Sequence, residues 1–247
     1  MSNFNNKKLF VQSPFFLPVV HVLNLEQTMR QLEIAFSSNA DGVFLIGHGI
    51  RYKKLFDIYS QVRDVYPVKW IGLNCLDLRP LEIFSRIPPG VNGVWVDNAY
   101  INEELDINEQ QYPLQVKKLI NKNRWNGLYF GGVAFKYQKK VNNHTLATKI
   151  ACQYLDVITT SGIGTGLAAE PEKIKIMSTI VKKYNKKIGI ASGITISNVE
   201  DYKSVDYYLV ATGISKDFHT FNPVLVKQLS DKINKLKWEV NETYGSG

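Results

Sequence analysis

A single-domain (β/α)8 barrel, an α/β fold, is the architecture this 247-residue sequence predicts, and three observations predict it. Short apolar blocks recur along the chain as continuous runs, the way strands buried on both faces of a parallel sheet read. Segments of helical period lie between them. Eight such units give about 31 residues each, close to the ~250 residues typical of that barrel.

The first block, residues 15–22, follows two lysines and Leu9-Phe10-Val11 in a way that superficially resembles a secretory leader. Gln12, Ser13 and Pro14 interrupt the run and no small-x-small cleavage site follows, so it reads as the first strand. Over residues 24–37 a helix opens with Asn24 and Gln27 in capping-box positions and carries Met29, Leu32 and Phe36 along one stripe. Strands 2 to 6 follow at 42–46, 70–73, 94–96, 128–135 and 157–160. A helix over 171–184 has Pro171 in its first turn, then Ile174, Met177, Ile180, Val181 and Tyr184 at helical spacing. Strand 7, at 188–191, is followed by a second capping box, Ser197 with Glu200. Strand 8, at 207–211, is followed by a last helix opened by Asn222-Pro223 and carrying Leu225, Leu229, Ile233 and Leu236. An open doubly wound sheet is the competing architecture, but no G-x-G-x-x-G follows the first strand, where Val20-His21-Val22-Leu23-Asn24 stands. No linker or composition break divides the chain, so 1–247 reads as one domain, with Gly245-Ser246-Gly247 a tail of no structural weight.

Composition narrows the functional classes. With 45% hydrophobic and 21% charged residues the chain can fill one large core. Only Cys75 and Cys152 are available, which excludes a disulfide scaffold and makes cytoplasmic residence the expectation. No apolar run approaches the ~18 to 20 residues of a membrane span. Net charge is +8 with a pI near 9.3, yet the lysines are spread over polar helix faces and C-terminal turns: 117, 118 and 122, then 182, 183, 186 and 187, then 227, 232, 235 and 237. That distribution argues against a nucleic-acid stripe and for a general field attracting small anions. Homo-oligomerisation is left open.

In a barrel, sites gather at the C-terminal ends of the strands. Three predicted ends carry nearly one tetrapeptide: Thr160-Ser161-Gly162-Ile163, Ala191-Ser192-Gly193-Ile194 and Ala211-Thr212-Gly213-Ile214. Glycine just after a strand lets backbone N–H groups approach an anion, neighbouring hydroxyls add donors, and short helices after the last two ends would aim their N-termini at the same spot. The alternative is that these glycines merely make tight turns. Gly162, Gly164 and Gly166 also make a loop able to fold over a ligand, with Thr165 as a polar contact. The first five ends supply His21, His48, Asn74 with Cys75 and Asp77, Asp97 with Asn98, and Lys136. The lysine follows Val133-Ala134-Phe135, so its ammonium should project into the barrel mouth, where an anion or Asp97 would pair with it. There is no H-x-H or H-E-x-x-H spacing, so no metal site is assigned; no Ser/His/Asp triad is legible, and no cofactor is named.

The segments Pro18-Val19-Val20-His21, Gly72-Leu73-Asn74, the run Asp156-Val157-Ile158-Thr159-Thr160-Ser161-Gly162-Ile163-Gly164-Thr165-Gly166, Ser192-Gly193-Ile194-Thr195, and Gly213-Ile214-Ser215-Lys216-Asp217 together resemble the BtpA/SgcQ family. That family is similar to the phosphate-binding barrels and takes its names from a photosystem I assembly factor and a member of a sugar operon. The resemblance implies a fold and a pocket more than a reaction. The chain departs from the family at Gly47-His48-Gly49-Ile50-Arg51, where an acidic-Asn-Phe segment is usual, and at Tyr137, where a histidine is usual. Both departures fall at the predicted site and imply a different ligand or lost activity.

The expected ligand is therefore a phosphorylated small molecule, a sugar phosphate or nucleotide, held at Ser192, Gly193, Thr212, Gly213 and Ser215, with Asn74, Ser161, Gly162, Gly164, Thr165 and Gly166 adding contacts. Acid/base work falls to Lys136 and Asp97, with His21 or His48 as a second proton carrier. Isomerase, lyase and glycosyl or phosphoribosyl transfer all remain open. A non-catalytic assembly factor is the rival reading, favoured if Tyr137, Tyr100 and Phe218 plug the mouth.

Overall fold

A computed structural model describes the backbone of residues 13–244 and side chains as far as residue 237. Leu9-Phe10-Val11 and the Gly245-Ser246-Gly247 tail lie outside the described residues. Eight parallel strands close in sequence order: β1 (Phe15–His21), β2 (Val43–Ile46), β3 (Ile71–Asn74), β4 (Gly93–Val96), β5 (Leu128–Gly132), β6 (Val157–Thr160), β7 (Lys187–Ala191) and β8 (Tyr207–Val210), which pairs back onto β1. Around them lie α1 (Leu25–Ser37), α2 (Tyr52–Val65), α3 (Pro80–Phe84), α4 (Gln111–Lys122), α5 (His144–Ala151), α6 (Pro171–Lys183) and α7 (Pro223–Tyr244). A small hairpin, β9 (Ser215–Asp217) with β10 (Thr220–Phe221), sits between β8 and α7. The predicted (β/α)8 barrel is the observed one. Among the described residues no helix is long and apolar enough to cross a membrane.

The expected alternation breaks in the seventh unit, where the described chain makes only the 3₁₀ turn Val199–Tyr202. Its predicted capping box does not form, because both members are engaged elsewhere. Ser197 Oγ pairs with Thr195 Oγ1 at 2.8 Å, Glu200 meets Lys232 of α7 at 3.0 Å, and Asn198 Oδ1 accepts from Thr195 N instead. Half of the first box is present: Asn24 Oδ1 accepts from Gln27 N at 2.8 Å, while the Gln27 amide turns to Leu23 N and His219 O. Strand β5 stops at Gly132 rather than 135, since Ala134 and Tyr137 take positive φ (+49° and +63°) and turn the chain.

Alternation along each strand sends one set of side chains outward to the helices and the other into the barrel. The inward set is aromatic: Phe44 meets Trp70 and Phe130 edge-on at 5.2 and 5.1 Å, and Phe130 meets Tyr207 at 5.0 Å. Glycine makes the room. A Cβ at Gly72 would stand 2.3 Å from the Phe44 ring, and one at Gly93 2.6 Å from the Trp70 ring. Each buried ring contributes about 1.5–3 kcal/mol, and edge-to-face pairing adds about 0.5–1.5. These rings fill the barrel below its mouth.

The opposite rim is held by a repeated device. Side chains just ahead of the even strands accept the first free N–H of the odd ones: Asp41 from Phe16, Asn92 from Ile71, Asp156 from Tyr129 and Asp206 from Ile188, at 2.8–3.0 Å. Asp41 also takes Lys237 Nζ of α7 at 2.6 Å, tying the C-terminal helix to β1.

Candidate functional site

Every strand-end residue singled out in the sequence lies at the C-terminal rim, because each is the last residue of its strand or stands in the loop just after it. Ten of them line one cavity of about 290 Å³: His21, His48, Asp97, Lys136, Thr165, Gly166, Ser192, Gly193, Thr212 and Gly213. Its apolar lining includes Val19, Ile46, Trp95 and Leu209. Volume and lining fall at the small end of ligand pockets. Among the described residues no three His, Cys, Asp or Glu side chains gather as metal ligands.

Five predicted residues do not line this cavity. Asn74 is buried beneath it and donates Nδ2 to Asp97 Oδ1 at 3.0 Å. Ser161 is fully buried; its Oγ accepts from Lys136 N at 2.8 Å and donates to Gly162 O. The Gly164 carbonyl accepts from Ser192 Oγ at 2.9 Å, and Ser215 Oγ donates to Ala211 O at 2.9 Å. Gly162 packs where a Cβ would meet Leu167 O at 2.2 Å. These five shape the loops that carry the others.

Lys136 and Asp97 share the cavity but do not form the expected ion pair. Lys136 Nζ reaches Thr165 Oγ1 at 3.3 Å, as does the Tyr137 hydroxyl. The reason is the turn after β5: Gln138 Nε2 donates to Asp97 O at 2.5 Å and Gly132 O at 3.1 Å, its Oε1 accepts from Phe135 N, and this clamp swings Lys136 toward the β6 loop. Burial pushes the Asp97 carboxyl above its ordinary 3.8, with the Asn74 amide and the Lys136 charge opposing.

That shift has a sign that can be checked. In the fold Asp97 keeps its proton to higher pH than in the unfolded chain, so its contribution favours the fold at low pH and is lost as pH rises from 3.8 through the raised value. Ionised Asp97 then weighs against folding. Asp97→Asn should melt higher at about pH 7, by about 2–4 °C per kcal/mol relieved, and the gain should vanish at about pH 3. Melting identical to the parent at both would show the carboxylate fully compensated.

On the β1–β2 side, the His21 and His48 rings lie near parallel, 5.9 Å apart, and Phe218 of the β9–β10 turn lies edge-on to both at 4.0 and 4.9 Å. Burial first, then repulsion from His48, His219 and Lys136, brings His21 down to about 4. It is neutral at ordinary pH and resists taking up a proton. Of the three proposed plugs, Phe218 covers the two imidazoles while staying 49% exposed, Tyr137 is 81% exposed on the rim, and Tyr100 faces a neighbouring recess beside Cys75. The mouth stays open. Burial pushes the Cys75 thiol up to about 12, which removes it as a nucleophile.

On the β7–β8 side the elements after Ile194 and Ala211 are 3₁₀ turns of four and three residues, not α-helices. The glycines there serve close backbone approach: a Cβ at Gly193 (φ +68°) would stand 2.1 Å from Ala168 N, and one at Gly213 2.0 Å from Ile194 O. Ser192 itself is held at φ +146°. With Ala134 and Tyr137, it places non-glycine residues at positive φ on both sides of the cavity, a cost of about 1–3 kcal/mol each that gathers where sites lie.

Sequence reasoning missed Trp95, Gln138 and Lys173. Trp95 was legible by period, two residues before Asp97 on the inward face of β4. Gln138 carried no signal. Lys173 did: a cation in the first turn of a helix opposes the helix dipole.

No family model matches the sequence, and no curated protein matches it. Solved structures do share its fold. The phosphoribosyl anthranilate isomerase of Thermus thermophilus aligns at TM-score 0.61 and 13% identity over 90% of this chain and 100% of its own. KGPDC of Streptococcus mutans aligns at 0.60 and 10%, over 91% and 99%. The thiamine phosphate pyrophosphorylase of Pyrococcus furiosus aligns at 0.58 and 12%, over 95% and 99%.

Proposed function

We propose that this barrel is an enzyme that binds a phosphorylated small molecule, a sugar phosphate or nucleotide, in the central cavity and performs acid/base chemistry on it. One observation carries the reading. The cavity faces hydroxyls and tightly turned backbone of the β6, β7 and β8 loops toward a lysine, a carboxylate and a neutral imidazole on β5, β4 and β1. The first wall suits a phosphate, and the second a proton transfer. The isomerase and the pyrophosphorylase that share the fold are named for phosphorylated compounds, which supports the ligand class by analogy. The likeness to the BtpA/SgcQ family supports the same pocket.

In this reading the phosphate lies against Thr212, Thr165 and Ser192, whose hydroxyl turns from the Gly164 carbonyl to meet it, and the rest of the ligand reaches over Trp95. Asp97, with its raised pKa, takes a proton from the ligand, and the Lys136 ammonium stabilises the negative charge that develops. His21 faces the same ligand as a neutral imidazole, able to hydrogen-bond it without carrying charge. The rival reading, an assembly factor that uses the surface, draws on the exposed rim side chains Tyr137 and Ile163.

Calorimetry against a panel of sugar phosphates and nucleotides tests the proposal. A panel member should bind with Kd in the micromolar range, and Ser192→Ala with Thr212→Val should weaken it about 10- to 100-fold, the scale of two charge-assisted hydrogen bonds. Binding untouched by both substitutions would move the phosphate elsewhere.

A further inference from the structure

Beside the central cavity, between the β5 and β6 loops and the starts of α5 and α6, lies a second cavity of about 630 Å³. The proposed reaction does not use it. Its charged lining is Lys136, Lys139, Lys140, His144 and Lys173 against one acid, Glu170. Lys139 is neutralised by Glu104 at 2.8 Å. Lys173 makes no ion pair within 4 Å among the described residues: its half-buried ammonium donates to two neutral carbonyls, Ala134 O at 2.5 Å and Ser161 O at 2.8 Å.

Its position makes this arrangement costly. Lys173 stands in the first turn of α6, and His144 is the first residue of α5, so both sit at helix ends whose dipole repels cations. Burial lowers Lys173 to about 8, with Glu170 opposing; burial and then the Lys173 charge lower His144, with Glu170 and Glu103 opposing. Glu170 is the one acid that opposes the burial of Lys173, against four lysines and a histidine in the same lining, so the cavity keeps an excess of positive charge that an anion from outside would complete.

We propose that this lateral cavity is a second anion subsite, in which Lys173 and His144 hold the phosphate or carboxylate of a small organic anion whose apolar part lies on Phe135, Val141 and Leu167. The subsite goes beyond the central pocket and does not depend on it. Lys136 and Tyr137 line both cavities, and their contacts to Thr165 form the partition between them. Two anions would then flank one ammonium, as a two-substrate site or a substrate and its regulator would require.

Inorganic phosphate is the probe. Calorimetry should show a phosphate site that survives in Ser192→Ala with Thr212→Val, is retained in Lys173→Arg, and weakens about tenfold or more in Lys173→Met, the scale of one charge-assisted contact. In the unaltered protein, saturating phosphate should protect Lys173 from acetic anhydride, read by mass spectrometry. Lys173→Met loses two structural hydrogen bonds, so if it fails to fold the protection measurement decides alone. Phosphate affinity equal in Lys173→Met and parent, or acylation of Lys173 indifferent to phosphate, overturns the subsite. Loss of all phosphate binding in the Ser192/Thr212 variant also overturns it and leaves the central site standing.

Discussion

Lys136→Met is expected to lower turnover about 100-fold or more, the scale of losing one acid/base or charge-stabilising partner, while the melting temperature stays nearly unchanged. The two halves come from different bonds. What fixes this stretch of chain is backbone and neighbours: Lys136 N on Ser161 Oγ, Ala134 O under Thr160 and Lys173, and the Gln138 clamp. None needs the ammonium, whose one hydrogen bond among the described residues is to Thr165. Methionine keeps most of the stem volume. A variant melting sharply lower would mark Lys136 as structural, and one as stable and as active as the parent would leave the assembly-factor reading ahead.

Gly193→Val and Gly213→Val should each destabilise the fold by about 3 kcal/mol or more, seen as a drop of about 6–12 °C in melting. At both positions the new Cβ meets backbone, Ala168 N and Ile194 O, and at Gly193 a branched residue must also take positive φ. The same reasoning alters what loss of ligand binding in these variants means, since it would report broken loop packing rather than a blocked anion. Gly166, at φ +78° with nothing nearer than 3.9 Å, is the contrast: Gly166→Ala should cost only about 1 kcal/mol. Urea unfolding of the three variants separates the cases, and near-parent stability at 213 would show that the Ile194 carbonyl can move aside.

The architecture was legible because buried parallel strands leave a local mark, a short apolar block bounded by turn residues, and eight such blocks at even spacing leave few folds open. Placing His21, Asp97 and Ser192 on one rim then followed from strand polarity alone. Which of them touch was not legible. Lys136 lies four residues past its strand, and its direction depends on a turn set by Gln138 and two positive-φ residues, information that no periodicity carries. The glycines misled in a similar way: a Gly after a strand reads as room for an anion, whereas a neighbouring loop fills the space at 193 and 213. The missing seventh helix shows the limit of capping boxes, because Glu200 has a better partner in a lysine more than thirty residues on. The side chains that cap the odd strands were visible as an Asp or Asn ahead of each even strand, at 41, 92, 156 and 206, a repeat that only the pairing explains.

Closure of β1 onto β8 has a consequence for the order in which the chain acquires its shape. Residues about 190 positions apart must meet before the ring is complete, and Lys237 of α7 then latches Asp41 beside β1. During synthesis β1 emerges early and waits, its outer row of N–H and C=O groups unmatched, until Tyr207–Val210 arrives. A sheet of β1 to β7 not yet closed by β8 would expose two edges, that of β1 and that of β7, and association between nascent chains would compete with closure there.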